Sequence, residues 1–218
     1  MIKNLGDNNS LLQSFIAEIR DELIQEDSMR FRRNLERAGE IFAYEISKTL
    51  NYSPEEVKTP LGIAEIPKLR DKIVLATILR AGIPVHNGML NYFDEAENAF
   101  ISAYRVYEKD GTFNIRFEHI SGPRVDKKVI ILCDPMLATG ASIVLAAEAL
   151  LRKGKPAHLH IVSIIASKEG IEYVSQKLSK KKTTLWVGAI DDELTSKAYI
   201  VPGLGDAGDL AFGSKSDD

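Results

Sequence analysis

The stretch VIILCDPMLATGASIVLAAEALLRKG, from Val129 to Gly154, carries the densest potential chemistry in the chain. A run of strand-forming residues meets an acid, Asp134. A loop containing Thr139, Gly140, Ala141 and Ser142 follows, and then a helical stretch that Gly154 ends. Small and hydroxylated residues at a helix N-terminus offer unpaired backbone N–H groups, hydroxyl donors and the positive end of the helix dipole, which together suit a phosphate dianion. Gly140 lets the backbone come close, and the carboxyl end of a parallel strand is where open α/β sheets bind ligands. The same spacing also serves an ordinary strand-to-helix turn capped by Thr139 or Ser142.

Gly203-Leu204-Gly205-Asp206-Ala207-Gly208 fits GxGxxG, but a dinucleotide fingerprint opens a helix inside a βαβ unit and needs an acid about 20 residues on. Only ten residues follow Gly208. The four histidines, His86, His119, His158 and His160, are scattered; His158 and His160 share one strand face without a third ligand, so packed or exposed imidazoles are expected rather than a metal site. Asp191-Asp192-Glu193 suits either a cation or a solvated turn, and Lys180 to Lys182 a solvated helix end. No Walker lysine follows any glycine loop.

These residues need a scaffold, and the hydrophobic pattern supplies one. From Ser28 to about Leu50, Phe31, Leu35, Ala38, Phe42 and Ile46 form one helical stripe, with Asp27 or Ser28 as cap. A shorter helical pattern spans Leu11 to Leu23. Apolar runs at 73–79, 99–107, 129–134, 159–166 and 185–190 suit strands covered on both faces. The expected class is therefore α/β, a mostly parallel twisted sheet with helices on both faces. Asp110-Gly111 marks the turn of a β-hairpin over 104–122 that projects from this sheet. Without repeats or a low-complexity linker, residues 1–218 are expected to form one domain.

Composition narrows the function classes. A chain of 218 residues buries about 70% of its unfolded surface, enough for a full enzyme site. A net charge of -3 argues against nucleic acid as a partner. The single cysteine, Cys133, excludes an intrachain disulfide and fits a reducing compartment. No apolar stretch is long enough for a membrane span and the N-terminal MIKNLGDNNS lacks a secretory signal's apolar core, so a cytoplasmic location is expected.

The motif DPMLATGAS resembles the signature by which uracil phosphoribosyltransferases bind phosphoribosyl diphosphate (PRPP), in which a single acid precedes Pro-Met-Leu-Ala-Thr-Gly. Most other phosphoribosyltransferases carry two adjacent acids there, where this chain has Cys133-Asp134. ILRAGIPVHNGML, Ile78 to Leu90, and Tyr104-Arg105 resemble the same family's diphosphate contacts, and YIVPGLGDAGDLAFG, Tyr199 to Gly213, resembles its uracil segment. The resemblance implies the type I phosphoribosyltransferase fold with a C-terminal base-binding hood over 191–213. It implies transfer of ribose 5-phosphate from PRPP to uracil, giving UMP, with Mg2+ accompanying PRPP and a homo-oligomeric assembly.

By the same resemblance, PRPP contacts Arg80, Arg105, Asp134, Pro135, Met136, Leu137, Ala138, Thr139, Gly140, Ala141, Ser142 and Asp206. Uracil contacts Ile200, Gly205, Asp206 and Ala207. Arg80 and Arg105 stabilise the departing diphosphate, a task suited to a planar guanidinium that stays protonated. Asp134 orients the ribose, and Asp206 is shared between base and PRPP. A loop of glycines can meet the acceptor-donor-acceptor edge of uracil with backbone groups alone. The chain departs from the family at Ala141, Thr195, Ala198, Leu210 and Ala211, and residues 1–27 differ from its usual opening. A phosphoribosyltransferase for another base, and a non-catalytic nucleotide-binding regulator on the same fold, are the competing readings.

Overall fold

A computed structural model describes residues 1–107 and 113–215, with side chains outside 104–117. In chain order the strands are β1 (Ile2–Asn4), β2 (Tyr52–Thr59), β3 (Gly62–Leu69), β4 (Ile73–Leu79), β5 (Glu97–Tyr107) and β6 (Phe113–Ser121). They continue as β7 (Val129–Cys133), β8 (Met136–Leu137), β9 (His158–Ser167), β10 (Thr183–Asp191), β11 (Glu193–Leu194) and β12 (Ile200–Val201). The helices are α1 (Leu11–Arg20), α2 (Ser28–Ser47), α3 (Gly82–Leu90), α4 (Ala141–Leu151), α5 (Lys168–Lys177) and α6 (Ala207–Phe212).

The main sheet runs β1-β10-β9-β7-β4-β5-β6, with β8 pairing β9 beyond the end of β7. All its pairs are parallel except β5 with β6. The continuous apolar runs follow from this, because side chains alternate between two buried faces. Leu75, Ile131, Val162 and Trp186 meet α1, α2 and α3 on one face, while Val74, Ile130, Ile161 and Leu185 meet α4 and α5 on the other. The α2 stripe is buried at Phe31, Leu35, Ala38, Phe42 and Ile46, and the Asp27 carboxylate caps it by accepting from the Met29 and Arg30 amides at 3.0 Å. His160 is a packed imidazole whose Nδ1 accepts from the Trp186 indole N–H at 3.0 Å, and burial, aided by His158 and Lys3, pushes it down to about 3.

The expected hairpin over 104–122 is present as the outer part of β5 and β6. β6 is the edge strand of the main sheet, and β4 pairs with β5 only as far as Leu79 opposite Ser102. Past a register shift at Ser102/Ala103, β5 and β6 pair with each other alone, so the ribbon leaves the sheet from there. Its Asp110-Gly111 turn lies outside the described residues. A second ribbon, β2 with β3, has no counterpart among the sequence expectations. Pro54 and Pro67 stand directly opposite each other in it, a position that exchanges no N–H bond, so neither proline breaks the ladder.

Candidate active site

The cradle forms where β7 ends. Asp134 and Pro135 lead into β8, then Ala138, Thr139 and Gly140 turn into α4. Gly140 occupies the N-cap with a φ of 82°, a left-handed conformation, and no side chain caps the helix. The Ala141 amide donates a long hydrogen bond to the Thr139 hydroxyl at 3.4 Å, but the N-cap is Gly140 and no side chain caps the amides beyond Ala141. The Ser142 and Ile143 amides, at residues that line the cleft, are thus left without a side-chain cap, as an anion requires.

The loop is held from behind by its sheet neighbours. Ser163 Oγ donates to the Asp134 carbonyl at 2.8 Å, and the amides of Ile164 and Ile165 both donate to the Pro135 carbonyl at 3.0 Å. Ser167 caps α5 by accepting from the Gly170 amide at 2.8 Å and donates its own hydroxyl to the Ala138 carbonyl at 2.6 Å. Cys133, next to Asp134, is fully buried, and burial pushes its thiol up to about 12, so it stays protonated and is no nucleophile.

Across the cleft, Arg80 follows β4 at a cis Leu79–Arg80 peptide. Its Nη2 donates to Asp209 Oδ1 at 3.1 Å and to the Gly213 carbonyl at 3.0 Å, while its buried Nε has no partner among the described residues. Arg105 lies on β5 opposite Ile115; its side chain falls outside the described residues.

The C-terminal segment roofs the cleft. β11 and β12 form a short antiparallel pair whose turn carries Ala198 at a φ of 57°. Asp206 then caps α6, Oδ1 accepting from the Gly208 amide at 2.8 Å and the Asp209 amide at 3.1 Å. Its Oδ2 faces Lys215 Nζ at 3.7 Å. A helix does open after the glycines, but it has six residues, is preceded by an antiparallel strand and stands in no βαβ unit.

One cleft of about 640 Å³ gathers Arg80, Asp134, Met136, Leu137, Ala138, Thr139, Gly140, Ser142, Ile200, Gly205, Asp206 and Ala207 on its walls. Of the described side chains named from the sequence, Pro135 and Ala141 are not on this lining. Pro135 is turned toward β9, where its carbonyl is spent. Sequence reasoning missed Tyr199, Ser102 and Lys215, which also line the cleft, and Asp209, the partner of Arg80. Tyr199 sits inside the quoted YIVPGLGDAGD segment, whereas nothing in the sequence marks Lys215. The acidic run divides: Asp192 and Glu193 are solvated, Asp192 pairing with Lys168 at 2.7 Å, whereas Asp191 is buried against Arg20, and among the described residues no three His, Cys, Asp or Glu side chains gather as a metal group.

A parallel sheet whose strand ends present an uncapped helix N-terminus and an acid to a roofed cleft is the type I phosphoribosyltransferase arrangement. Residues 7–214 match the family model described as uracil phosphoribosyltransferase, and the chain belongs to that family. The uracil phosphoribosyltransferase of Porphyromonas gingivalis is 55% identical over 212 residues, covering 97% of this chain and 98% of its own. That of Methanothermobacter thermautotrophicus is 40% identical over 193 residues, 88% of this chain and 87% of its own. The solved structure of the AQ2163 protein from Aquifex aeolicus superposes with a TM-score of 0.87 at 30% identity, over 98% of each chain.

Proposed function

We propose that this chain transfers the ribose 5-phosphate of PRPP to uracil, releasing UMP and diphosphate. The observation that carries the reading is the uncapped N-terminus of α4 sharing one cleft with Asp134, Arg80 and the backbone of Gly205 to Ala207. The open amides, with Ala138 to Ser142, hold the 5-phosphate and Asp134 takes the ribose hydroxyls. The roof meets uracil through the backbone at Ile200, Gly205 and Ala207. Displacement at the anomeric carbon passes through an oxocarbenium-like state, by analogy with other glycosyl transfers. The chain therefore holds two substrates in line and stabilises the leaving charge, with Arg80 and Arg105 assigned to the diphosphate.

The carboxylates on the cleft are Asp134 and Asp206, the second engaged in capping α6. So sparse a donor set suits a Mg2+ ion held mostly by substrate oxygens and water. Such an ion neutralises charge on the diphosphate. Residues 1–218 act as one unit in this reading, in the cytoplasm; no helix among the described residues is long and apolar enough to cross a membrane. The chain works as a homo-oligomer, supported by Leu61, Ile63 and Ile66, which stand exposed on the β2–β3 ribbon.

The test is direct: incubate the protein with PRPP, Mg2+ and each free base and separate the nucleotides. UMP from uracil is expected, with no product from hypoxanthine, guanine or adenine. Purine turnover without UMP would mark a phosphoribosyltransferase for another base. Nucleotide binding without any turnover would mark a regulator.

A further inference from the structure

Asp191 closes β10 within an acidic run, yet only 7% of its surface is exposed. Its carboxylate accepts from both terminal nitrogens of Arg20 at 2.8 Å and from the Gly203 amide at 2.9 Å. Arg20 Nη1 also donates to the Gly203 carbonyl at 3.0 Å. Gly203 is therefore gripped at both its N–H and its C=O, by a carboxylate and a guanidinium that also grip each other. Burial pushes the Asp191 carboxyl up, but the Arg20 hydrogen bonds, the Gly203 amide and the Arg20 charge outweigh it and hold the group below the usual carboxylate range.

The turn being gripped has no room for a side chain. Gly203 has a φ of 55°, and a Cβ there would fall 2.1 Å from the Ile200 carbonyl oxygen. With its amide oriented to satisfy its neighbours, Gln25 donates to the Leu204 carbonyl at 2.9 Å and to the Ile19 carbonyl at 3.0 Å. The end of α1 and the turn after it thus hold two successive residues of the roof. Ile200 and Gly205, on either side, line the cleft; Arg20, Asp191 and Gly203 do not.

We infer that Arg20 and Asp191 are positioning residues for the base, a clamp that sets the backbone between Ile200 and Ala207 at the distance and angle uracil requires. The inference rests on the proposed reading of this segment as the uracil site. A base recognised by backbone groups meets no rotamer that can adapt, so the loop must be held to within about 0.5 Å. A bidentate guanidinium–carboxylate pair fixes distance and orientation together. The end of α1 thereby acts on substrate without touching it.

The test uses full-length Asp191→Ala, Arg20→Ala and Arg20→Lys, with initial rates measured against uracil and against PRPP and a thermal melt on each. Both alanine variants are expected to raise the uracil KM about tenfold or more while the PRPP KM stays within about twofold. Arg20→Lys keeps the charge and should recover part of the loss. A merely structural pair would lower the melt and the active fraction and leave both KM values alone. Arg20 is the more exposed partner, at 21% against 7%, so its variants report on folded protein even where Asp191→Ala does not fold. A wild-type uracil KM in folded Arg20→Ala overturns the clamp while leaving the functional reading intact. A wild type that makes no UMP overturns both.

Discussion

The loop from Asp134 to Ser142, proposed to hold phosphate, and the C-terminal roof, proposed to hold the base, line one cleft but are held by different means. Between Asp134 and Ser142 the support is local, from β9 and the first turn of α5, through the carbonyls of Asp134, Pro135 and Ala138. The roof is supported from far along the chain: Arg20 reaches Asp191 and Gly203, Arg32 donates to the Ala211 carbonyl at 2.6 Å, and Arg80 reaches Asp209. A phosphate is recognised by backbone geometry that a strand-loop-helix creates by itself. A flat base needs an irregular loop, and such a loop keeps its shape only if the rest of the fold imposes it.

The largest effect is expected where local support is tightest. A Cβ on Gly170 would stand 2.2 Å from the Ala138 carbonyl oxygen, so Gly170→Ala must push the cradle out of place. Relief of glycine's poor helix propensity contributes about 1 kcal/mol in favour. Overpacking against backbone costs about 3 kcal/mol and wins. Calorimetry should show a lower melt, and initial rates a raised PRPP KM with the uracil KM nearly unchanged. A more stable variant with a normal PRPP KM would mean that the cradle does not depend on α5.

Arg80 lines the cleft and is tied to the roof through Asp209 and Gly213, and its loss should be felt in chemistry more than in folding. Removing a charge-assisted contact to diphosphate costs about 1.5–3 kcal/mol, or roughly ten- to a hundredfold in kcat/KM for PRPP. The Arg80–Asp209 pair is over a third exposed on both sides, so the melt of Arg80→Ala should barely move. Steady-state constants that do not change at limiting PRPP would remove Arg80 from the site.

The same contrast explains what could be read in the sequence. Most runs of the sheet's interior were legible because burial on both faces leaves an unbroken apolar signature, as in Val129 to Cys133, whereas β5 alternates buried and exposed residues. α2 was legible from one stripe and one cap, Asp27. β1 was not, because three residues docked on β10 leave no period to detect. Nor was the β2–β3 ribbon, since proline counts against a strand unless its partner position is known. The loop's residue types suited an anion but equally an ordinary capped turn, and the resemblance decided between them. The roof could be recognised only by resemblance: Arg20 and Asp191 lie 171 positions apart, and nothing local pairs them. Asp191 itself was weighed as a cation ligand or a solvated residue, because burial against a distant arginine leaves no mark on its neighbours in sequence.

Asp206 tests whether the roof's acid is a scaffold, a substrate contact or both. Its Oδ1 caps α6, so Asp206→Ala should cost about 1 kcal/mol and lower the melt by about 2–4 °C. Asn caps as well as Asp, so Asp206→Asn should melt like wild type. If the charge also serves PRPP and base, both variants lose turnover, and the asparagine variant does so without any stability change. Wild-type rates in Asp206→Asn would reduce the residue to a cap.

The smallest effect should have the opposite sign. Ala198 holds a φ of 57° in the turn between β11 and β12. A left-handed alanine costs about 1–2 kcal/mol. Glycine's greater freedom in the unfolded chain costs roughly 0.5–1 kcal/mol. The strain is the larger of the two, so Ala198→Gly should stabilise the protein by about 0.5–1 kcal/mol, raising the melt by about 1–4 °C. In the cradle an added methyl group at Gly170 is harmful because the loop is pressed against its support; in the roof a methyl group removed at Ala198 helps because the turn is shaped from elsewhere and tolerates local strain. Paired melts of the two variants read the contrast directly. A lower melt for Ala198→Gly would show that the turn is not strained and that the roof, like the cradle, fits its local sequence.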